Sequence, residues 1–213
     1  MPNWCNNNIT ISGDEGTIRT LTAVLKSLKT DDEEQSSDVF KALIGLPQHM
    51  SDGDYKEKWY DTNIGWFGTK WDISYDEHAF TFTKDEISFF CETAWSPPIP
   101  FLQHLCEMYK VNANLFYSEG GVGFSGETTF TWNEGELDVY DDECGYLEGI
   151  YKYSREEFWS EVESRVDSIL DEELSLEDFI SEFDFVSEED TLELTRLYNE
   201  TIKENDEDDT EGE

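Results

Sequence analysis

Apolar and polar positions first alternate in NNITIS, where polar residues flank Ile9 and Ile11 in the two-residue repeat of a half-buried strand. After Gly13 the period lengthens. Ile18, Leu21, Leu25 and Leu28 recur at helical spacing behind Asp14, whose carboxylate suits an N-cap. KTDDEEQSSD reads as an acidic loop, and VFKALIGL predicts a short helix stopped before Pro47. From there to Asn63 the pattern predicts irregular chain. Strand periodicity then dominates: Trp71, Ile73 and Tyr75 alternate, Phe80 and Phe82 repeat the spacing, and EISFFCETAW is a strong β run. SPP breaks that run, because proline removes ladder donors. Phe101, Leu102, Leu105 and Met108 or Tyr109 mark a helix, and VNANLFYS alternates again through Val111, Ala113, Leu115 and Tyr117. Gly120 and Gly121 make a turn, after which TTFTW and ELDVY can pair across NEG. The order β-α-loop-β-β-α-β-β predicts an α+β, ferredoxin-like sandwich, an antiparallel sheet with two helices and an elongated hairpin.

Beyond Lys152 the pattern becomes helical and acidic. Residues 153–213 hold 24 acidic and 4 basic residues, a net −20. Capping-box patterns open three helices: SREE from Ser154, SLED from Ser175 and SEED from Ser187. Apolar stripes follow through Phe158, Val162, Val166 and Ile169, then Leu176, Phe179, Ile180 and Phe183, then Leu194, Leu197, Tyr198 and Ile202. Helices striped this way dock on something. The closing ENDEDDTEGE has no apolar residue and is expected to be disordered. The expected organisation is a ferredoxin-like domain at 1–142, an acidic helical appendage at 143–203 and an acidic tail at 204–213.

The 213 residues carry 51 acidic and 14 basic side chains, a formal charge of −37. Phosphate neutralisation needs Lys and Arg, so direct nucleic-acid binding is not expected, and an anionic membrane would be repelled. No basic segment followed by an apolar run marks a signal peptide, and no window of about 18 apolar residues could span a bilayer. Cys5, Cys91, Cys106 and Cys144 are widely spaced, as reduced thiols of a cytosolic protein would be. Aromatic residues make up 15% of the chain, so a core built from rings is expected.

Three stretches stand out: MPNWCNN-ITISG at the start, GTKWD from Gly68 and TAWSPPIPF from Thr93. With the later Tyr117, Glu119, Gly121 and Gly123–Gly126, they resemble the YubB-type ferredoxin-like proteins of phages and plasmids over roughly residues 1–140. The resemblance implies a ferredoxin-like fold and a mobile-element origin. It implies no activity. On the residues alone, Trp71 and Trp95 fall at alternating strand positions and are expected to be buried scaffold. A ligand pocket lined by these rings is the alternative.

Catalytic patterns are weak. His49, His78 and His104 have no metal-ligand neighbour at helical spacing, and His104 and Cys106 lie two apart on a helix, on different sides. Gly121–Gly126 matches G-x-G-x-x-G but lies between strands, flanked by Glu119 and Glu127, which would repel a phosphate. Glu127 also occupies the last position that a G-x-S-x-G elbow needs. No cofactor, metal site or enzyme is expected. The charge is the remaining clue, since −37 far exceeds the magnitude of about 2–8 that keeps a small domain soluble. In the appendage and tail, acids spaced about 4 Å apart along a helix approach the ~3.4 Å phosphate spacing of one DNA strand. The expected function is an acidic, DNA-mimic-like inhibitor of a basic nucleic-acid-binding or defence protein, acting in the host cytoplasm. Its candidate contacts are Glu156, Glu157, Glu161, Glu163, Asp167, Asp171, Glu172, Glu173, Glu177 and Asp178. An acidic adaptor or virion-associated protein, or an enzyme with an unrecognised site, are the alternatives.

Overall fold

Strand β1 (Trp4–Ser12) opens the computed structural model with strict alternation. Cys5, Asn7, Ile9 and Ile11 are buried inward, while Trp4, Asn6, Asn8 and Thr10 lie on the other face. The structure describes residues 3–28, 38–171 and 175–211, with side chains at 165, 167–171 and 204–211 outside that description. The expected loop at 29–37 lies outside the described residues. The chain divides into two units, Met1–Cys144 and Gly145–Glu213, where a boundary after 142 was expected.

The first unit is the ferredoxin-like sandwich. β2 (Phe80–Phe82), β3 (Glu86–Ala94), β4 (Asn112–Glu119), β5 (Phe124–Asn133) and β6 (Glu136–Gly145) join β1 in the order β2-β3-β1-β4-β5-β6. β1 is central, pairing antiparallel with β3 from Trp4↔Ala94 to Ser12↔Glu86 and with β4 from Asn6↔Ser118 to Ser12↔Asn112. The β5–β6 hairpin turns at Glu134 and Gly135, both at positive φ (49° and 96°), the geometry that suits a right-twisted two-residue hairpin. Helices α1 (Glu15–Ser27) and α4 (Ile99–Tyr109) pack Ile18, Leu21, Leu25, Phe101, Leu102 and Leu105 into one core with Ile9, Ile11, Ile87, Phe89 and Leu115. Asp14 caps α1, its carboxylate accepting from the N–H groups of Gly16 and Thr17. The short helix α2 (Val39–Ile44) ends at Gly45, before Pro47.

Three expectations for this unit need correction. Where irregular chain was expected, α3 (Asp52–Trp66) forms, kinked at Lys58. Its apolar residues have no helical period, and the start signal lies in Ser51 and Asp54, whose side chains bond each other's backbone N–H in a capping box. Residues 71–75 form no strand. Besides the isolated bridge Asp38↔Ser74, the Ile73 carbonyl and the Asp72 carboxylate tie them to the start of α2. Trp71 and Trp95 are not buried; they stand 38% and 41% exposed.

In the second unit, α5 (Tyr146–Tyr153), which was not expected, precedes α6 (Arg155–Asp171), α7 (Leu176–Ser181) and α8 (Glu188–Glu211). Each predicted serine cap receives a backbone N–H: Glu157 to Ser154, Asp178 to Ser175 and Asp190 to Ser187, at 3.2–3.3 Å. The stripes close on one core of Ile150, Phe158, Val162, Val166, Phe179, Phe183, Leu194 and Tyr198. The side chain of Ile169 lies outside the described residues. α8 continues to Glu211, where a disordered tail from 204 was expected; extending an established helix requires no new nucleus.

Candidate functional sites

The three unusual stretches meet in space. Trp95 N–H donates to the Asn3 carbonyl (3.0 Å), Ser96 Oγ to the Gly68 carbonyl (2.7 Å) and Thr69 Oγ1 to the Ala94 carbonyl (3.1 Å). Beneath them, buried Asn7 donates to Thr93 Oγ1 (2.9 Å), which itself donates to the Ser96 carbonyl (2.7 Å). Gly68 sits at φ 84°, and a Cβ there would come within 2.4 Å of Pro100, so the position demands glycine. This stitching is scaffold chemistry, and its by-product is a set of rings turned outward. Trp95 has φ 73°, which breaks the strand alternation on which the burial expectation rested.

Lys70 Nζ lies 4.3 Å from the Trp71 ring centre and 4.8 Å from that of Trp95. Trp4 and Trp71 have their centres 6.0 Å apart at 38°. Beside them opens a cleft of about 430 Å³, with Trp4, Trp71, Asp76, Phe90, Glu92 and Thr93 in its wall. Asp72 also borders it, but its carboxylate is occupied by the N–H groups of Phe40 and Lys41, both at 2.8 Å, at the start of α2. Burial pushes Asp72 up to about 6 despite those bonds.

The residues considered for catalysis sit in structural roles. His104 stacks on Trp66 with ring centres 3.9 Å apart, and partial burial lowers its pKa. Burial pushes the Cys5 and Cys106 thiols up to about 12 and raises Cys91 further, so all three stay protonated at neutral pH. In the Gly121–Gly126 loop the N–H groups of Gly121 and Val122 are taken by Glu119, at 2.7 and 2.6 Å. The loop thus spends on its own carboxylate the donors that a phosphate cradle would need.

Of the ten acidic candidates, Glu156, Glu157, Glu163 and Glu177 are exposed and Glu161 is half-buried. Asp178 is exposed, but its carboxylate accepts from Ser175 Oγ at 2.6 Å and completes a cap. Glu172 and Glu173, and the side chains of Asp167 and Asp171, lie outside the described residues. The structure adds Asp190, which is 4% exposed and accepts from Tyr151 (2.8 Å), Ser187 (2.6 Å) and Arg155. Burial alone would raise Asp190, but the Ser187 and Tyr151 hydrogen bonds and the Arg155 charge outweigh it and hold the group below its usual range. A cleft of about 400 Å³ beside it is lined by Trp159, Glu163, Glu189, Glu193 and Arg196. SEED marked Ser187 as the cap and Asp190 as its box partner; the burial of Asp190 depends on α5, which the sequence pattern did not reveal.

Among the described residues no helix is long and apolar enough to cross a membrane. A family model described as the ferredoxin-like domain in Api92-like protein matches residues 70–163. A crystal structure of protein Api92 from Yersinia pseudotuberculosis aligns at 9% identity and a TM-score of 0.35, over 68% of this chain and 99% of that one. No curated protein matches this chain.

Proposed function

We propose that the protein is a non-enzymatic, phage- or plasmid-encoded binding protein whose acidic second unit docks on a basic partner in the host cytoplasm. The partner is a nucleic-acid-binding or defence protein, and the mechanism is occlusion of its nucleic-acid groove in the manner of a DNA mimic. The observation that carries this reading is the division of labour on α6 and α7. Phe158, Val162, Val166 and Phe179 are buried in their own unit's core, while Glu156, Glu157, Glu163 and Glu177 face solvent. Carboxylates not consumed by internal ion pairs are free to meet lysines and arginines, and a net −37 speeds that encounter by steering.

The test immobilises the full chain, passes host lysate over it and elutes with salt. The affinity of a captured basic protein is then measured against salt, with duplex DNA as competitor. Reversing Glu156, Glu157, Glu163 and Glu177 to lysine should leave the fold intact and weaken binding steeply. A partner that holds DNA and this protein together, or binds equally at high salt, overturns mimicry and leaves the adaptor reading.

A further inference from the structure

The cleft in the first unit lies along a strand edge rather than over a sheet face. Five consecutive residues of β3, Phe90 to Ala94, border it. Successive side chains point to opposite faces, so only an edge can touch all five. The edge is open because β2 pairs with β3 only from Ile87 to Phe89, whereas β1 follows the other side of β3 to Ala94. The direction of the backbone groups can be assigned. The Glu86 carbonyl accepts from Thr83 N–H on the β2 side (2.9 Å), and the Cys91 carbonyl faces Asn7 of β1 at 3.2 Å. Alternation then directs the N–H and C=O groups of Phe90 and Glu92 toward the cleft, past the end of β2. At the far end the Ala94 carbonyl is taken by Thr69, which closes the groove.

The side chains around this edge select the occupant. Glu92 and Asp76 are exposed carboxylates, and Trp4, Trp71 and Phe90 expose 46%, 38% and 46% of their surface. Aromatic faces beside carboxylates attract a cation, and Lys70 already rests on the Trp71 and Trp95 rings. A second copy of the chain would bring another −37 to the same edge. We infer that this cleft binds an extended peptide segment carrying a lysine or arginine, added as a strand along Phe90–Glu92 with its cation between Glu92 and the tryptophan rings. A volume of about 430 Å³ suits a few residues of such a segment. This site is built from first-unit residues alone and does not rest on the mimic reading.

The test titrates the full chain with Ac-Thr-Val-Arg-Val-Thr-NH2 at about 0.5 M salt, where the screening length falls to about 4 Å and diffuse attraction is suppressed. The readout is the indole N–H resonances of Trp4 and Trp71. The arginine peptide should shift them, and the same peptide with neutral citrulline should bind about tenfold more weakly. N-methylation of both valines, which removes ladder donors, should abolish binding. Trp71→Ala and Glu92→Gln should each weaken binding several-fold, with Trp71→Phe as the milder ring variant should Trp71→Ala fail to fold. The four-lysine variant of α6 and α7 should bind the peptide as the wild type does. Absence of indole shifts, equal binding of the citrulline or N-methylated peptide, or resonances that move with protein concentration alone would each overturn the assignment.

Discussion

Two residues carry the sharpest local tests. Trp95 holds a left-handed backbone (φ 73°) that costs an ordinary side chain about 1–2 kcal/mol, and its ring is 41% exposed. Trp95→Gly should therefore be more stable than Trp95→Ala by about 1 kcal/mol in chemical denaturation, the reverse of the usual order within a strand. Asp72 supplies the second test. Its folded pKa of about 6 lies above an unfolded value near 4, so the native chain holds the proton more tightly. The stability this group contributes is fully present below about pH 4 and is lost as pH rises through 6. The stability of the wild type minus that of Asp72→Asn should fall by on the order of 2 kcal/mol across that window, and a flat difference would contradict the burial of this carboxylate.

At the scale of elements, the starts of α6, α7 and α8 carry serine caps, and that of α8 carries more than a cap. Ser187 and Asp190 bond each other, and Asp190 also gathers Tyr151 of α5 and Arg155 of α6. Asp190→Ala should cost about 1–2 kcal/mol, since it leaves Tyr151, Ser187 and Arg155 without their shared acceptor while the Ser187 cap on the residue-190 N–H survives. Its pH signature is opposite to that of Asp72. The folded pKa is depressed, so its contribution is present above the unfolded value near 4 and is lost as pH falls through the depressed one. Acid unfolding of wild type and Asp190→Ala should therefore converge at low pH. Element type was legible wherever a period was sustained, as in β1, α1 and α4. α3 escaped because its buried positions include Thr62 and Asn63 rather than an apolar stripe.

At the scale of the whole molecule, a charge of −37 repels itself. Raising salt from about 10 mM to beyond 0.5 M should raise the melting temperature by several degrees, with a smaller rise in the four-lysine variant of α6 and α7. The Cys5, Cys91 and Cys106 thiols are buried and protonated, and the His104 ring is stacked on Trp66. Accordingly, His104→Ala and Cys106→Ala proteins that keep the native circular dichroism spectrum should keep full partner binding. Loss of function in a folded His104→Ala protein would point to catalysis.

Sequence alone determined β1, α1, α2 and the run from β2 through α4 to β6, the serine caps, the change to acidic helices and the apolar stripes, because each is set by neighbours a few residues apart. Trp71 and Trp95 were visible as odd residues, and their sequence periodicity pointed inward. Only tertiary structure turned them outward, through the Asn3–Trp95, Gly68–Ser96 and Thr69–Ala94 hydrogen bonds between segments far apart in the chain. The open edge of β3 is likewise a tertiary fact. It exists because β2 stops five residues before β3 ends, and a local pattern records the length of a strand without recording what lies beside it.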